Sequence, residues 1–237
     1  MDEMVDILDE GGEKTGEVAW KSEAHRAGLR HRGFHCWILD PNGPYLFVQL
    51  RAAGKDTWPD LLDVTAAGHL RAGEGTLDGL REIEEELGLT VRAEDLHPLG
   101  TRKIEREIPG GGLDREFQEA FLLVRELSPA DLRLQVEEVA ALVRLDLDDV
   151  EALHEGAEVP VEEWTAGGTR PARTRLSDFV PEDDAYLQRV ARAAREVLAG
   201  EGPGRIAPGA SFRLRSPETR PSAGRRTGRA TPPTGRP

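Results

Sequence analysis

Apolar and polar positions change their period along the chain, and the changes mark elements. Met4 to Leu8 reads as a short strand, ended by the turn Asp9-Glu10-Gly11-Gly12. Trp20 to Ala27 fits a short helix. His35 to Leu39 and Tyr45 to Leu50 are β-rich runs around Asp40-Pro41-Asn42-Gly43-Pro44, which predicts a hairpin. Asp63 to Ala67 is a further strand, and Thr76 to Leu87 has helical periodicity. Pro98 to Ile108 and Glu116 to Val124 read as strands joined through Pro109-Gly110-Gly111-Gly112. Val139 to Leu145 follows as a strand, and Asp148 to His154 as a helix. Pro181 to Leu198 closes the pattern as an amphipathic helix, with Leu187, Val190, Ala191, Ala194 and Val197 on one side. Strands interleaved with a few helices predict an α/β fold, a mixed β-sheet covered by helices.

Composition bounds the rest. A chain of 237 residues, 38% hydrophobic, can build one domain with extensions. From Gly202 to Pro237 the chain is rich in Pro, Gly, Arg, Ser and Thr and has few large apolar residues. Such a stretch buries too little surface to offset its ordering entropy. The expected organisation is one domain over 1–200 and a disordered Arg/Pro/Gly-rich tail over 201–237. The net charge is −13, and from Glu201 onward eight arginines face two acids. The body is therefore more acidic than the whole, which argues against a broad nucleic-acid face. A single cysteine, Cys36, excludes an internal disulfide. No apolar run reaches about 18 residues, the length a spanning helix needs, so no membrane partner is expected. The acidic N-terminus has no leader pattern, and a cytoplasmic location is the expectation.

The helix over Thr76 to Leu87 changes the picture. Leu77, Leu80, Ile83 and Leu87 make a core-facing stripe. Glu82, Glu85 and Glu86 fall at i, i+3 and i+4 and converge on a different face. Like charges at that spacing repel, and a hard divalent cation such as Mg²⁺ or Mn²⁺ offsets the repulsion. For a bare acidic run, a solvated helix surface is the better explanation. The flanks decide: GHLRAGE at Gly68 to Glu74 is a glycine-bounded turn, and REIEEELGL at Arg81 to Leu89 brings an arginine directly before the acids.

These segments resemble the signature of the Nudix hydrolase family, a glycine, five residues, a glutamate, seven residues, then R-E-U-x-E-E-x-G-U with U apolar. Arg81, Glu82, Ile83, Glu85, Glu86, Gly88 and Leu89 match, as do Gly68 and Glu74. One departure stands out: only six residues, Gly75 to Leu80, separate Glu74 from Arg81. The resemblance implies a Nudix-type α/β/α sandwich with its core over about 30–165 and its closing helix over about 181–198. It implies metal ligation by Glu82, Glu85, Glu86 and the Gly68 carbonyl, with Arg81 orienting the acids. The implied reaction is water attack on a diphosphate linkage in a small phosphorylated metabolite, such as a nucleoside diphosphate derivative. Candidates for the general base are Glu85, Glu116 and Glu119, and after them Glu137 and Glu138.

The flanks are also similar to isopentenyl-diphosphate isomerase and its Nudix relatives. The matching segments are Glu23-Ala24-His25-Arg26-Ala27-Gly28-Leu29-Arg30-His31-Arg32, Asp56-Thr57-Trp58-Pro59 and Thr65-Ala66-Ala67-Gly68-His69. The isomerase carries a catalytic cysteine two residues before a metal-binding histidine; here that position is Ala67, and alanine transfers no proton. His25, His31 and His69 fall where the isomerase places metal ligands. With Glu116 they form a candidate second site for Mn²⁺ or Zn²⁺, the alternative being hydrogen-bonded framework histidines. Arg51, Lys55 and Trp58 are candidates for substrate contact. The function expected is metal-dependent diphosphate hydrolysis. Isoprenoid-diphosphate isomerisation and a non-catalytic binding module of the same fold are the alternatives. A homodimer is compatible with the sequence.

Overall fold

The computed structural model describes residues 2–182, 185–202, 204 and 213–214. From the N-terminus come β1 (Met4–Leu8), β2 (Lys14–Trp20), α1 (Lys21–Ala27), β3 (Arg30–Asp40), β4 (Tyr45–Arg51), β5 (Leu62–Asp63) and β6 (Ala66–His69). A 3-10 turn at Thr76–Gly79 runs into α2 (Leu80–Leu87). Then follow β7 (Leu96–Glu107), β8 (Leu113–Val124), β9 (Val139–Asp146), α3 (Asp149–His154), β10 (Val159–Thr165), β11 (Gly168–Thr174) and α4 (Tyr186–Leu198). No helix among the described residues is long and apolar enough to cross a membrane.

The sheet is mixed. Its main path is β11-β10-β9-β4-β3-β8-β7. β3 runs parallel to β8, with His31 opposite Glu116 and Phe34 opposite Glu119. Its other edge is shared: β6 pairs antiparallel at Gly33↔His69 and Phe34↔Gly68, and β4 pairs further along at Ile38↔Phe47. β1 touches β3 at Leu8↔Arg30 and carries β2 as a hairpin partner.

Side chains of a strand alternate between its two faces, so the two faces of β3 feed two cores. Phe34, Cys36 and Ile38 pack with Ile83 and Leu87 of α2. Trp37 and Leu39 pack with Tyr186, Leu187, Val190 and Ala194 of α4, and with Val150 and Leu153 of α3. Helices therefore cover both faces of the mixed sheet, the α/β/α arrangement.

Several elements depart from the sequence pattern. β2 and the β10–β11 hairpin have no counterpart in it. Most of β2 is exposed, so nothing enforces apolar alternation there, and β11 is likewise exposed. The expected strand at Asp63 to Ala67 is two short strands on different neighbours. The first turn of the expected Thr76–Leu87 helix is 3-10, and Leu77 is 48% exposed rather than core. α4 begins at Tyr186, not Pro181. The disordered tail expected over 201–237 lies outside the described residues, apart from 201, 202, 204 and 213–214.

Candidate active site and histidine cluster

β6 serves two sites from adjacent residues. Gly68 shares the face of Phe34, toward α2, whereas His69 shares the opposite face with Gly33. The carboxyl of Glu82 lies against Gly68, where a Cβ would stand 2.0 Å from Glu82 Cδ. Only glycine leaves that space. One turn on, Glu86 Oε2 accepts from the Ala67 backbone N–H at 3.1 Å and from Gln49 Nε2 at 3.3 Å. Glu82 and Glu86 are buried, whereas the Glu85 side chain is 45% exposed. The three acids thus do not form one uniform surface: two line the inside of the site and the third stands at its mouth.

Burial pushes the Glu82 carboxyl up to about 7. Burial, with Glu82 beside it, pushes Glu86 up to about 8. Both acids are disfavoured as bare anions, which is the electrostatic condition of a cation site. The donor set, oxygen atoms of neighbouring carboxylates, suits Mg²⁺ or Mn²⁺.

Arg81 organises this end of α2. Its Nε donates to Glu74 at 3.0 Å, its Nη2 to the His69 carbonyl at 2.9 Å, and its Nη1 lies 2.7 Å from Glu82 and 3.3 Å from Glu85. Burial works against its charge, but Glu74 and Glu82 outweigh it and hold the guanidinium protonated. Gly88 at φ 73° stops the helix, its N–H donating to the Glu84 carbonyl.

On the other face, His25, His31, His69 and Glu116 converge, with one ligand atom of each lying within 4.8 Å of the others. His69 Nε2 is 2.9 Å and His31 Nε2 3.4 Å from the same oxygen, Glu116 Oε1. No aligned hydrogen bond reaches Nε2 of His25, His31 or His69, although all three atoms are buried. His31 Nδ1 lies 3.2 Å from the Leu29 carbonyl and is the natural donor there, leaving Nε2 free as a ligand. Buried nitrogens turned toward a carboxylate without aligned hydrogen bonds suit a bound cation better than a hydrogen-bonded framework. Burial pushes His25 down to about 3 and lowers His69. At His31 burial also opposes the charge, but Glu116 outweighs it and the net shift is upward. The histidines in turn outweigh burial at Glu116 and hold it well below the usual carboxylate range.

Glu116 and Glu119 are three apart on β8 and so face opposite ways. Glu116 belongs to the histidines. Glu119 shares the face of Phe34 and Gly68, across β3, and takes donors from Arg32 Nη1 at 3.0 Å and Thr101 Oγ1 at 2.8 Å.

The three expected substrate contacts are engaged within the protein. Arg51 donates to the Thr57 and Trp58 carbonyls and pairs with Asp63 at 3.0 Å. Lys55 pairs with Glu138. Trp58, only 9% exposed, sits at φ 52°, and Asp60 at φ 59°. Such conformations cost a non-glycine residue roughly 1 kcal/mol or more, so the Arg51 bonds brace a strained loop beside Glu86. Both Arg51 and Lys55 lower the Glu86 pKa against the larger effect of burial.

Sequence reasoning passed over Gln49, whose only signal is one amide in the apolar strand YLFVQLR. It also missed Asp114, whose Oδ1 is 3.9 Å from His25 Nε2. Arg71, 3.6 Å from Glu85, was missed as well.

Comparisons with known proteins identify the family and the fold. A NUDIX domain profile matches residues 29–165. An uncharacterized Nudix hydrolase of Clostridium acetobutylicum is 34% identical over 201 residues, covering 81% of this chain and 97% of the relative. An isopentenyl-diphosphate Δ-isomerase of Kocuria rhizophila is 34% identical over 148 residues, 61% of this chain and 80% of the isomerase. Among solved structures, a Deinococcus radiodurans protein superposes with a TM-score of 0.51 at 20% identity, over 65% of this chain and 90% of its own. That likeness concerns the fold alone.

Proposed function

The chain belongs to the Nudix family of hydrolases, which act on phosphorus-containing acid anhydrides, and we propose that it cleaves a diphosphate linkage in a small nucleoside diphosphate derivative. The proposed cofactor is Mg²⁺ or Mn²⁺, held by Glu82, Glu85, Glu86 and the Gly68 carbonyl. The observation that carries this reading is the burial of Glu82 and Glu86 against β6, with Gly68 leaving room for a carboxyl and Ala67 N–H fixing the other. When bound, the cation neutralises phosphate oxygens and acidifies water. Arg81 keeps the acids in place through Glu74 and the His69 carbonyl. Glu85, the accessible acid of the three, is the proposed acceptor of the water proton, with Glu119 the next candidate on that face. Lys55 is proposed to leave Glu138 for a substrate phosphate, while Arg51 and Trp58 frame the loop. The histidine cluster is proposed as a second cation site, for Mn²⁺ or Zn²⁺, built from His25, His31, His69 and Glu116.

Isomerisation of an isoprenoid diphosphate is the second reading, favoured by the histidine cluster. Ala67 weighs against it, because no proton-transferring side chain stands at that position.

A phosphate-release screen over a diphosphate library with Mg²⁺ or Mn²⁺ tests the choice. Wild type should turn over at least one member. Glu86→Gln should lose at least about a hundredfold, above the upper end of the loss typical of residues behind metal ligands. Equal turnover by both proteins would remove the acid site from the reaction. Isomer formation from isopentenyl diphosphate would favour the second reading.

A further inference from the structure

The turn between Leu70 and Gly75, which leads into the shortened spacer of the signature, is held by the N-terminal hairpin. Ala72 N–H donates to the Met4 carbonyl at 2.8 Å and Gly73 N–H to Asp6 Oδ2 at 2.9 Å. Lys14 Nζ donates to the Glu74 carbonyl at 3.1 Å and pairs with Asp6 at 2.7 Å. Val5 and Arg71 form an isolated bridge. These hairpin residues precede the NUDIX match, which begins at residue 29.

Beside Glu74, which pairs with Arg81, a second side chain in this turn reaches the acid site. Arg71 stands between two carboxylates. Its Nε and Nη2 lie 2.8 and 2.7 Å from Glu3 Oε1, whereas Nη2 is 3.6 Å from Glu85 Oε1. The Arg71 side chain is 43% exposed. A guanidinium placed fully on Glu85 would neutralise the one acid that stands at the mouth, and would compete there with a divalent cation.

We propose that Glu3 of the N-terminal hairpin holds Arg71 off Glu85, leaving that carboxylate to the cation and presenting the guanidinium to a phosphate of the incoming diphosphate. Arg71 is then a phosphate-binding residue and Glu3 its positioning residue. This rests on the hydrolase reading of the acid site. The chemistry fits: a planar guanidinium binds phosphate oxygens through paired N–H groups, and it would stand next to the cation that binds the same group. The hairpin becomes part of the binding machinery, and neutralising Glu3 frees Arg71 to close on Glu85.

Three variants give three different signatures, which a bracing role alone would not produce. Full-length wild type, Glu3→Gln, Arg71→Ala and the double variant are titrated with Mn²⁺ by electron paramagnetic resonance, without substrate. The acid-site component is the one missing from Glu86→Gln. Methylenediphosphonate, a diphosphate that cannot be hydrolysed, is then titrated by calorimetry in saturating Mg²⁺. Glu3→Gln should weaken Mn²⁺ binding by about fivefold, near the upper end for one partly exposed ion pair. Arg71→Ala should leave Mn²⁺ binding no weaker than wild type but weaken the diphosphonate by a similar factor. The double variant should recover Mn²⁺ binding while keeping the diphosphonate defect.

Wild-type Mn²⁺ binding in Glu3→Gln, or a double variant as weak as Glu3→Gln, overturns the positioning role. Unchanged diphosphonate binding in Arg71→Ala overturns the phosphate contact. Neither readout needs turnover, so a chain that hydrolyses no diphosphate would sink the functional reading and leave these results standing.

Discussion

The acid site and the histidine cluster are backed onto one short strand, yet they are built in opposite ways. Glu82, Glu85 and Glu86 come from two turns of one helix, and Gly68 makes room for one of them. His25, His31, His69 and Glu116 come from α1, β3, β6 and β8 and meet only because those elements pack together. The electrostatics differ as well. The acids crowd like charges, and burial raises the proton affinity of Glu82 and Glu86. The histidines, two of them held toward the neutral form by burial, surround a single carboxylate, which holds its own charge. A local motif can gather like charges because the helix backbone enforces their spacing. A cluster from four elements needs mutual attraction or a shared ion to be stable.

Gly68→Ala tests the close approach on which the first site depends. The added Cβ would lie 2.0 Å from Glu82 Cδ, so the carboxyl must move. Displacement by about 1 Å can cost a hundredfold, and a loss of that order in hydrolysis, with the acid-site Mn²⁺ component weakened, is expected. Wild-type kinetics in this variant would break the assignment of Gly68 to the site.

His69→Ala should separate the two regions. It removes one imidazole and leaves Glu116 buried with fewer partners, a change expected to lower stability by roughly 1–3 kcal/mol. Elemental analysis should show loss of the transition metal proposed for the histidine cluster, while hydrolysis in saturating Mg²⁺ stays within about threefold of wild type, about 0.6 kcal/mol. A Gly68→Ala-sized loss of hydrolysis in His69→Ala would mean that the two sites act as one.

The smallest effect expected is on stability against pH. Glu82 and Glu86 have folded-state values of about 7 and about 8, above the ordinary glutamate range. Between the unfolded value and these values, the folded protein binds more protons than the unfolded chain. Their contribution is therefore fully present below about pH 4.3 and is lost as pH rises toward 8. Melting temperature measured in chelator should fall across that window, and Glu86→Gln should flatten the slope. Saturating Mg²⁺ should flatten it too, because a cation favours the ionised form. An unchanged slope in Glu86→Gln, measured without cation, would mean that Glu86 titrates as it does in the unfolded chain and is not buried in the site.

How much was legible follows from the same contrast. The run Arg81 to Leu89 carries its chemistry in its spacing, since a helix converts i, i+3 and i+4 into neighbours. Gly88 stops that helix through its left-handed backbone. Leu77 was misplaced, because a 3-10 turn rotates it out of the stripe that continuous α-helical spacing predicts. β2 and β11 were missed because they are largely exposed, so no alternation marks them. The sequence places Glu116 and Glu119 three residues apart. Only the parallel pairing of β8 with β3 brings Glu116 to His31 and Glu119 beside Phe34.

The sequence by itself determined the mixed α/β fold, the acid-bearing helix and the absence of a proton-transferring side chain at Ala67. These depend on local periodicity and on residue identity, which need no partner. Tertiary structure decided which acids are buried, that Gly68 and His69 face opposite sides, and that the N-terminal hairpin grips the turn over Glu85. Each of these depends on which strand lies beside β3 and on the alternation of faces across it, and contacts between residues so far apart in sequence leave no local pattern to read.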